Sequence, residues 1–180
     1  MEYRTAKTLL EQGRNAKRAH RLEDAKSSFQ QALGESAQSD DSALRAKVFE
    51  ELAYVERSLR DLDAAREHYL QSSEIYRSLD NPLKTAHTMR HAADILREQK
   101  KTGQAASLYF EALEIYRSQK ETLPLDLGNA IRGFALLKED IGDRVQALSL
   151  WGEARDIYQL VGIDAGISES AARIRSLADD

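Results

Sequence analysis

Two histidines one helical turn apart are the residues whose types and spacing best suit chemistry. In the segment HTMRHAAD, His87, His91 and Asp94 stand at i, i+4 and i+7, so on a helix all three share one face. Imidazoles in that arrangement can hold one metal ion between them. No glutamate lies between the histidines to serve as general base, and the chain contains no cysteine. A complete ligand set would have to draw on another part of the chain. The alternative is a polar lining or plain surface, and neither a metal nor a cofactor is expected.

Other chemistry is scarcer still. There is no G-x-G-x-x-G and no G-K-[ST] ending to cradle a phosphate, and no nucleophile sits in a recognisable elbow. The absence of cysteine excludes disulfides, thiolate metal sites and a cysteine nucleophile together. His68, beside Tyr69, reads as partly buried rather than functional, and Trp151 and the tyrosines read as packing rather than stacking platforms. Most charges recur at i, i+3 or i, i+4, the ordinary pattern of a solvated helix face. The expectation is a protein that is not an enzyme. A net charge of −4 argues against general nucleic-acid binding. The first twenty residues hold no apolar run of signal-peptide length, and no segment is apolar enough to span a membrane. A cytoplasmic protein is expected.

The elements that must position these residues follow from a repeat. EIYRS stands at 74–78 and again at 114–118, with DIYQL at 156–160. These phrases end a longer pattern. A small residue recurs at Ala25, Ala65, Ala105 and Ala147. An aromatic follows at Phe29, Tyr69, Tyr109 and Trp151, then a small residue at Ala32, Ser72, Ala112 and Ala154, then Ser36, Tyr76, Tyr116 and Tyr158. Spacings of 4, 3 and 4 trace one buried stripe along each of four helices. Twelve residues before each first alanine stands another small residue, Gly13, Ala53, Ala93 or Ala135, flanked by larger apolar ones. A second helix therefore precedes each of the four. A long-period repeat of helix pairs means a solenoid whose units bury their faces against their neighbours.

Boundaries agree with that periodicity. Pro82 and Pro124 occupy the same register of successive units, where proline suits a first helical turn and Asn81 is placed to cap. GESAQSDDS (34–42) reads as a polar linker. The units run about 5–42, 43–81, 82–123 and 124–164 within one domain of residues 1–180. A ninth helix, about 165–178, is expected to cover the last unit with Ile167, Ala171 and Ile174.

A small residue at position 8 of each unit, small at 20, aromatic at 24 and small at 27 resembles the tetratricopeptide repeat, over about residues 5–164. That family's usual unit has about 34 residues. The longer units here are more similar to those of kinesin light chains and bacterial regulatory proteins, with the extra residues expected mostly in the second helix. Gln12 and Ala16 depart from the family's bulky preferences, and its position-11 tyrosine is replaced by Glu56 and Lys138. The resemblance implies an all-α, right-handed superhelical solenoid of four helix pairs plus a C-terminal capping helix.

It also implies a concave groove lined by the first helix of each pair. Carried over by repeat position, contacts are expected from Lys7, Arg14 and Lys17, from Lys47, Tyr54 and Arg57, and from His87, Arg90, His91, Asp94 and Arg97. Leu10 and Gly133 fall on groove positions too. Basic side chains slightly outnumber acidic ones there, most clearly in the first repeat, while Glu139 and Asp140 make the far end acidic. The residues at the places of the family's carboxylate clamp do not match it, so none is expected. The function expected is a non-catalytic scaffold or adaptor that binds a protein or peptide with an acidic segment, and neither nucleic acid nor membrane. The alternatives are a self-assembling structural protein or the regulatory segment of a signalling system.

Overall fold

One turn geometry recurs down the chain. In the computed structural model, which describes residues 2–37 and 40–179, His20, Arg60, Asp80, Lys100, Gly142 and Gly162 all adopt a left-handed backbone, with φ from 50° to 78°. Each donates its N–H three residues back, and the next residue donates five back. Arg60 thus bonds the Arg57 carbonyl at 3.1 Å and Asp61 bonds that of Glu56 at 2.9 Å. This double bond satisfies carbonyls that a helix end would leave orphaned. After three of these turns the next residue caps the following helix through its side chain. Asp61, Asn81 and Asp143 accept the backbone N–H of Ala64, Lys84 and Gln146 at 3.4, 3.2 and 3.3 Å.

Among the described residues there are nine helices, and these turns form six of the eight junctions between them, all but α2 to α3 and α6 to α7: α1 (Glu2–Arg18), α2 (Leu22–Ser36), α3 (Ser42–Ser58), α4 (Leu62–Ser78), α5 (Pro82–Glu98), α6 (Thr102–Ser118), α7 (Pro124–Asp140), α8 (Arg144–Val161) and α9 (Asp164–Asp179). No strand is present among them. The helices α3 and α4, and likewise α5 and α6, all have 17 residues. The expected lengthening of the second helix is therefore not found: the extra residues are shared equally. Gln38 and Ser39 of the linker lie outside the described residues, and α2 runs into its start, as far as Ser36.

Packing divides the chain into two units, Met1–Ile95 and Leu96–Asp180. In the first, α1 packs on α2, α2 on α3 and α3 on α4. In the second, α6 packs on α7, α7 on α8 and α8 on α9. Every residue of the small–aromatic–small stripe is buried, with Phe29, Tyr109 and Trp151 wholly so. The small partners on the first helices allow close approach. A Cβ on Gly13 would stand 2.3 Å from the Phe29 ring. The repeated tyrosine is a seam residue, and in two repeats its hydroxyl reaches the first helix of its own pair: Tyr76 donates to Glu50 at 3.0 Å and Tyr158 to Asn129 at 3.0 Å.

Two expectations change. The residues of α9 that are buried are Gly166 and Ser170, whereas Ile167, Ala171 and Ile174 are half-exposed. The reason is the tight approach to Tyr158, whose ring lies 2.5 Å from where a Cβ on Gly166 would stand. The helix docks on its small residues, and its large ones flank the contact. Where the repeat pattern calls for tyrosine, Glu56 is buried at 2% exposure and bonded to His68 Nδ1 at 2.6 Å. This pairing offsets what an isolated buried carboxylate would cost.

Candidate interaction surface

The first helices of successive repeats are joined by ion pairs. In the first unit, Glu51 on α3 accepts from Arg14 Nε at 2.9 Å and from Lys17 Nζ at 2.5 Å, both on α1. Burial alone would raise the Glu51 carboxyl, but the bonds and charges of Lys17 and Arg14 outweigh it and hold the group below its ordinary value. Glu50 lies 3.2 Å from Lys84 Nζ and 3.5 Å from His87 Nε2. Asp94 on α5 stands between Arg57 of α3 at 3.5 Å and Arg90 at 3.3 Å. The second unit repeats the device: Arg97 bonds Asp140 at 3.0 Å, Arg132 grips Glu169 at 2.6 and 2.7 Å, and Arg173 bonds Glu139 at 3.1 Å.

These pairs place the predicted contact residues in two groups. Arg14, Lys17, Arg57, Asp94 and Arg97 are engaged in tying one first helix to the next, and Arg90 pairs with Asp94 within α5. Lys7, Lys47 and Tyr54 are exposed, Tyr54 by 50% and with the Lys17 ammonium 4.6 Å from its ring centroid. Leu10 and Gly133 are buried, Leu10 within the apolar cluster of the first unit, where it also borders a cavity with Lys7 and Lys47.

The histidines sit deeper than a surface reading allows. The rings of His87 and His91 meet edge to face at 4.7 Å, and His91 stacks on Tyr69 at 5.1 Å. Arg90 donates to His91 Nε2 at 2.7 Å. Burial, then the Arg90 charge, pushes the His91 imidazole well below its ordinary value, so it is neutral at physiological pH. Among the described residues no group of three His, Asp or Glu side chains is placed to hold a metal ion, nor is any helix long and apolar enough to cross a membrane.

Two cavities open on the first unit. One, of about 370 Å³, has Lys7, Glu11, Arg14, Asp41 and Lys47 in its wall. The other, of about 400 Å³, is walled by Tyr54, Arg57, Ser58, Arg60, Tyr69 and His91. Arg60 was not among the expected residues, because it belongs to the left-handed turn after α3 and not to that helix's outward face. The ion-pair partners were legible in principle. Arg14 and Glu51, like Arg132 and Glu169, lie 37 residues apart, close to one repeat.

Geometry of this kind defines an all-α helical-repeat protein. Residues 44–118 match the family model of the tetratricopeptide repeat. Solved structures extend the likeness of fold. The chain is 16% identical to BtubC (BKLC) of P. vanneervenii, with a TM-score of 0.80 over 99% of this chain and 83% of that one. It is 11% identical to aspartyl phosphate phosphatase F of Bacillus subtilis, with a TM-score of 0.83 over 99% of this chain but only 50% of that one. The nearly identical TPR-like repeats of a Podosopora anserina protein called a kinesin light chain align at 14% identity and a TM-score of 0.58, over 96% and 94% of the two chains. No curated protein matches the sequence. At these identities the likeness is one of fold.

Proposed function

We propose that the protein is a non-catalytic adaptor of the cytoplasm, which holds a peptide or segment of a partner protein against the first helices of its repeats. The observation that carries this reading is Tyr54, a half-exposed aromatic at the wall of a 400 Å³ cavity that also holds Arg57. Aromatic and arginine side chains at such places commonly dominate binding energy. The tetratricopeptide family supports the same class of role, since its members bind proteins or peptides as a rule. Lys7 and Lys47 supply outlying positive charge for an acidic segment.

The ion pairs decide how this is tested. Reversing Arg14, Arg57 or Arg90 to glutamate sets like charges against Glu51 or Asp94, so lost binding would be confounded with lost fold. Tyr54→Ser with Lys7→Gln and Lys47→Gln avoids this. Affinity capture from the source cell's lysate should return a partner with wild type and not with this triple variant, at unchanged circular dichroism. The same capture by both proteins overturns the reading.

Self-association is a second reading, favoured by exposed apolar residues of the second unit. Phe110 is 61% exposed, Val145 80% and Leu160 76%, and α9 carries the half-exposed Ile167 and Ile174. Light scattering of wild type against Leu160→Glu separates an oligomer from a monomer.

A further inference from the structure

We propose that α9 pairs antiparallel with the α9 of a second copy of this chain, through Ile167, Ala171 and Ile174 and the charges of Asp164 and Arg175. This rests on the self-association reading and gives it a specific contact. Three observations on the helix carry it.

The first is an apolar strip. Gly166 and Ser170 are buried, the former against Tyr158, and the larger apolar side chains are left beside that contact. With about 3.6 residues per turn, Ile167, Ala171 and Ile174 fall within about 60° of one another around the helix, and all three stay half-exposed. Helix α1, by contrast, exposes only polar side chains from Lys7 onward. A helix with an apolar strip beyond its docking face has a second surface to bury. Ala171, in the middle of the strip, lets two such helices approach closely. Ile163, 36% exposed just before the helix, lengthens the line.

The second is a self-complementary pair of charges. Asp164 and Arg175 are both exposed, and neither makes an ion pair among the described residues. They stand at opposite ends of the helix but on one flank of the strip, about 20° apart around the axis. In an antiparallel pair the same flank of both helices comes together, so Asp164 of each copy meets the partner's Arg175. Two-fold symmetry makes that contact twice. A parallel pair would set aspartate beside aspartate and arginine beside arginine. Asp179 is exposed further round the helix, toward solvent.

The third is presentation. Glu169 and Arg173 are held by Arg132 at 2.6 Å and by Glu139 at 3.1 Å, which pins α9 to α7 from the side away from the strip. The strip is therefore offered in a fixed orientation, and pairing loses little conformational freedom. Its extent sets the strength. The 16 residues of α9 span about 24 Å, and one helix pair of that length buries less than the usual interface of about 1,600 Å². The dimer is accordingly weak and reversible.

The test is sedimentation velocity of the full chain at neutral pH, over a concentration series reaching about 500 µM. Wild type should pass from one chain of 20.3 kDa to twice that mass, with a dissociation constant on the order of 50 µM. Asp164→Arg alone and Arg175→Asp alone each set like charges together at both ends of the pair. Each should weaken pairing at least about tenfold, with circular dichroism unchanged because both residues are exposed. An equimolar mixture of the two variants should regain the wild-type dimer, since each supplies the charge the other lacks. Wild type that stays monomeric throughout overturns the proposal and the self-association reading together, and leaves the strip to a different protein or to water. A dimer equally strong in Arg175→Asp, or a mixture no better than either variant, overturns the α9 pairing alone. In that event self-association stands, and Leu160→Glu tests the other exposed apolar residues for the contact.

Discussion

The two helices of each pair are held to the rest of the molecule by opposite means. The second helices bury a stripe of alanine and aromatic residues, as at Ala147, Trp151, Ala154 and Tyr158. The first helices also bury small residues, but their outer edges are laced by ion pairs such as Arg14 with Glu51 and Arg132 with Glu169. Shape complementarity tolerates few solutions, because interiors are packed as densely as crystals. That is why the stripe returns in register four times. An ion pair can be made by many combinations of acid and base at neighbouring positions, so the charged face can drift while the stripe cannot. The same freedom makes the charged face the place where a binding function is acquired without cost to the fold.

The comparison breaks most visibly at Trp151, which is fully buried on the stripe. Trp151→Ala removes the largest buried side chain and should cost about 4 kcal/mol. The loss would be read as a large drop in the denaturant midpoint of unfolding. A loss of less than about 1 kcal/mol would mean that the stripe is not what holds the second unit together.

On the charged face the effect is smaller and depends on pH. Glu51→Gln removes a partly buried carboxylate from Arg14 and Lys17 and should cost about 2 kcal/mol at neutral pH. Because the folded state holds Glu51 below its ordinary value of 4.5, its contribution is complete above about that pH. It is lost as pH falls further, through the folded value. The wild type and the variant should therefore converge in stability below pH 4.5. A gap that persists unchanged into acid would show that Glu51 acts by packing and not by charge.

These two faces also explain what could be read from residues alone. The stripe, the paired helices, the proline starts and the Asn81 cap follow from spacing and backbone chemistry, and each stands where that chemistry requires. The ion-pair lattice was invisible as a lattice because Arg14 or Arg57 on a helix looks the same whether it faces water or a carboxylate of the next repeat. The docking face of α9 was misplaced by one residue, since apolar size points to Ile167 and Ile174 while close approach selects Gly166 and Ser170. Glu56 looked like a departure from the pattern. Its partner His68 lies on the following helix, 12 residues away, and only the fold brings the two together.

Glycines sharpen the comparison with a change of sign. On the packed side of α1, Gly13→Ala would drive a methyl to 2.3 Å from the Phe29 ring edge and should cost about 1.5 kcal/mol despite the better helix propensity of alanine. Gly152, in the middle of α8, has open space around its would-be Cβ, so Gly152→Ala should stabilise by about 0.7 kcal/mol. Thermal unfolding of the two variants should move in opposite directions. If both rise, the Phe29 contact is softer than the backbone spacing indicates.

The smallest effect is expected where an ion pair lies on the second helices instead of the first. Arg117 of α6 bonds both oxygens of Glu153 on α8 at 3.0 and 2.9 Å, a better geometry than Arg57 makes with Asp94. Yet both side chains are well exposed, at 45% and 40%, against 24% and 15% for Arg14 and Glu51. Water and salt screen such a pair, and ordering two long side chains offsets most of what remains. Arg117→Ala should therefore shift stability by less than about 0.5 kcal/mol, with no acid dependence. A loss matching that of Glu51→Gln would show that bond geometry, and not burial, governs the ionic contribution. The division between a packing side and a charge-laced side of the repeat would then have to be abandoned.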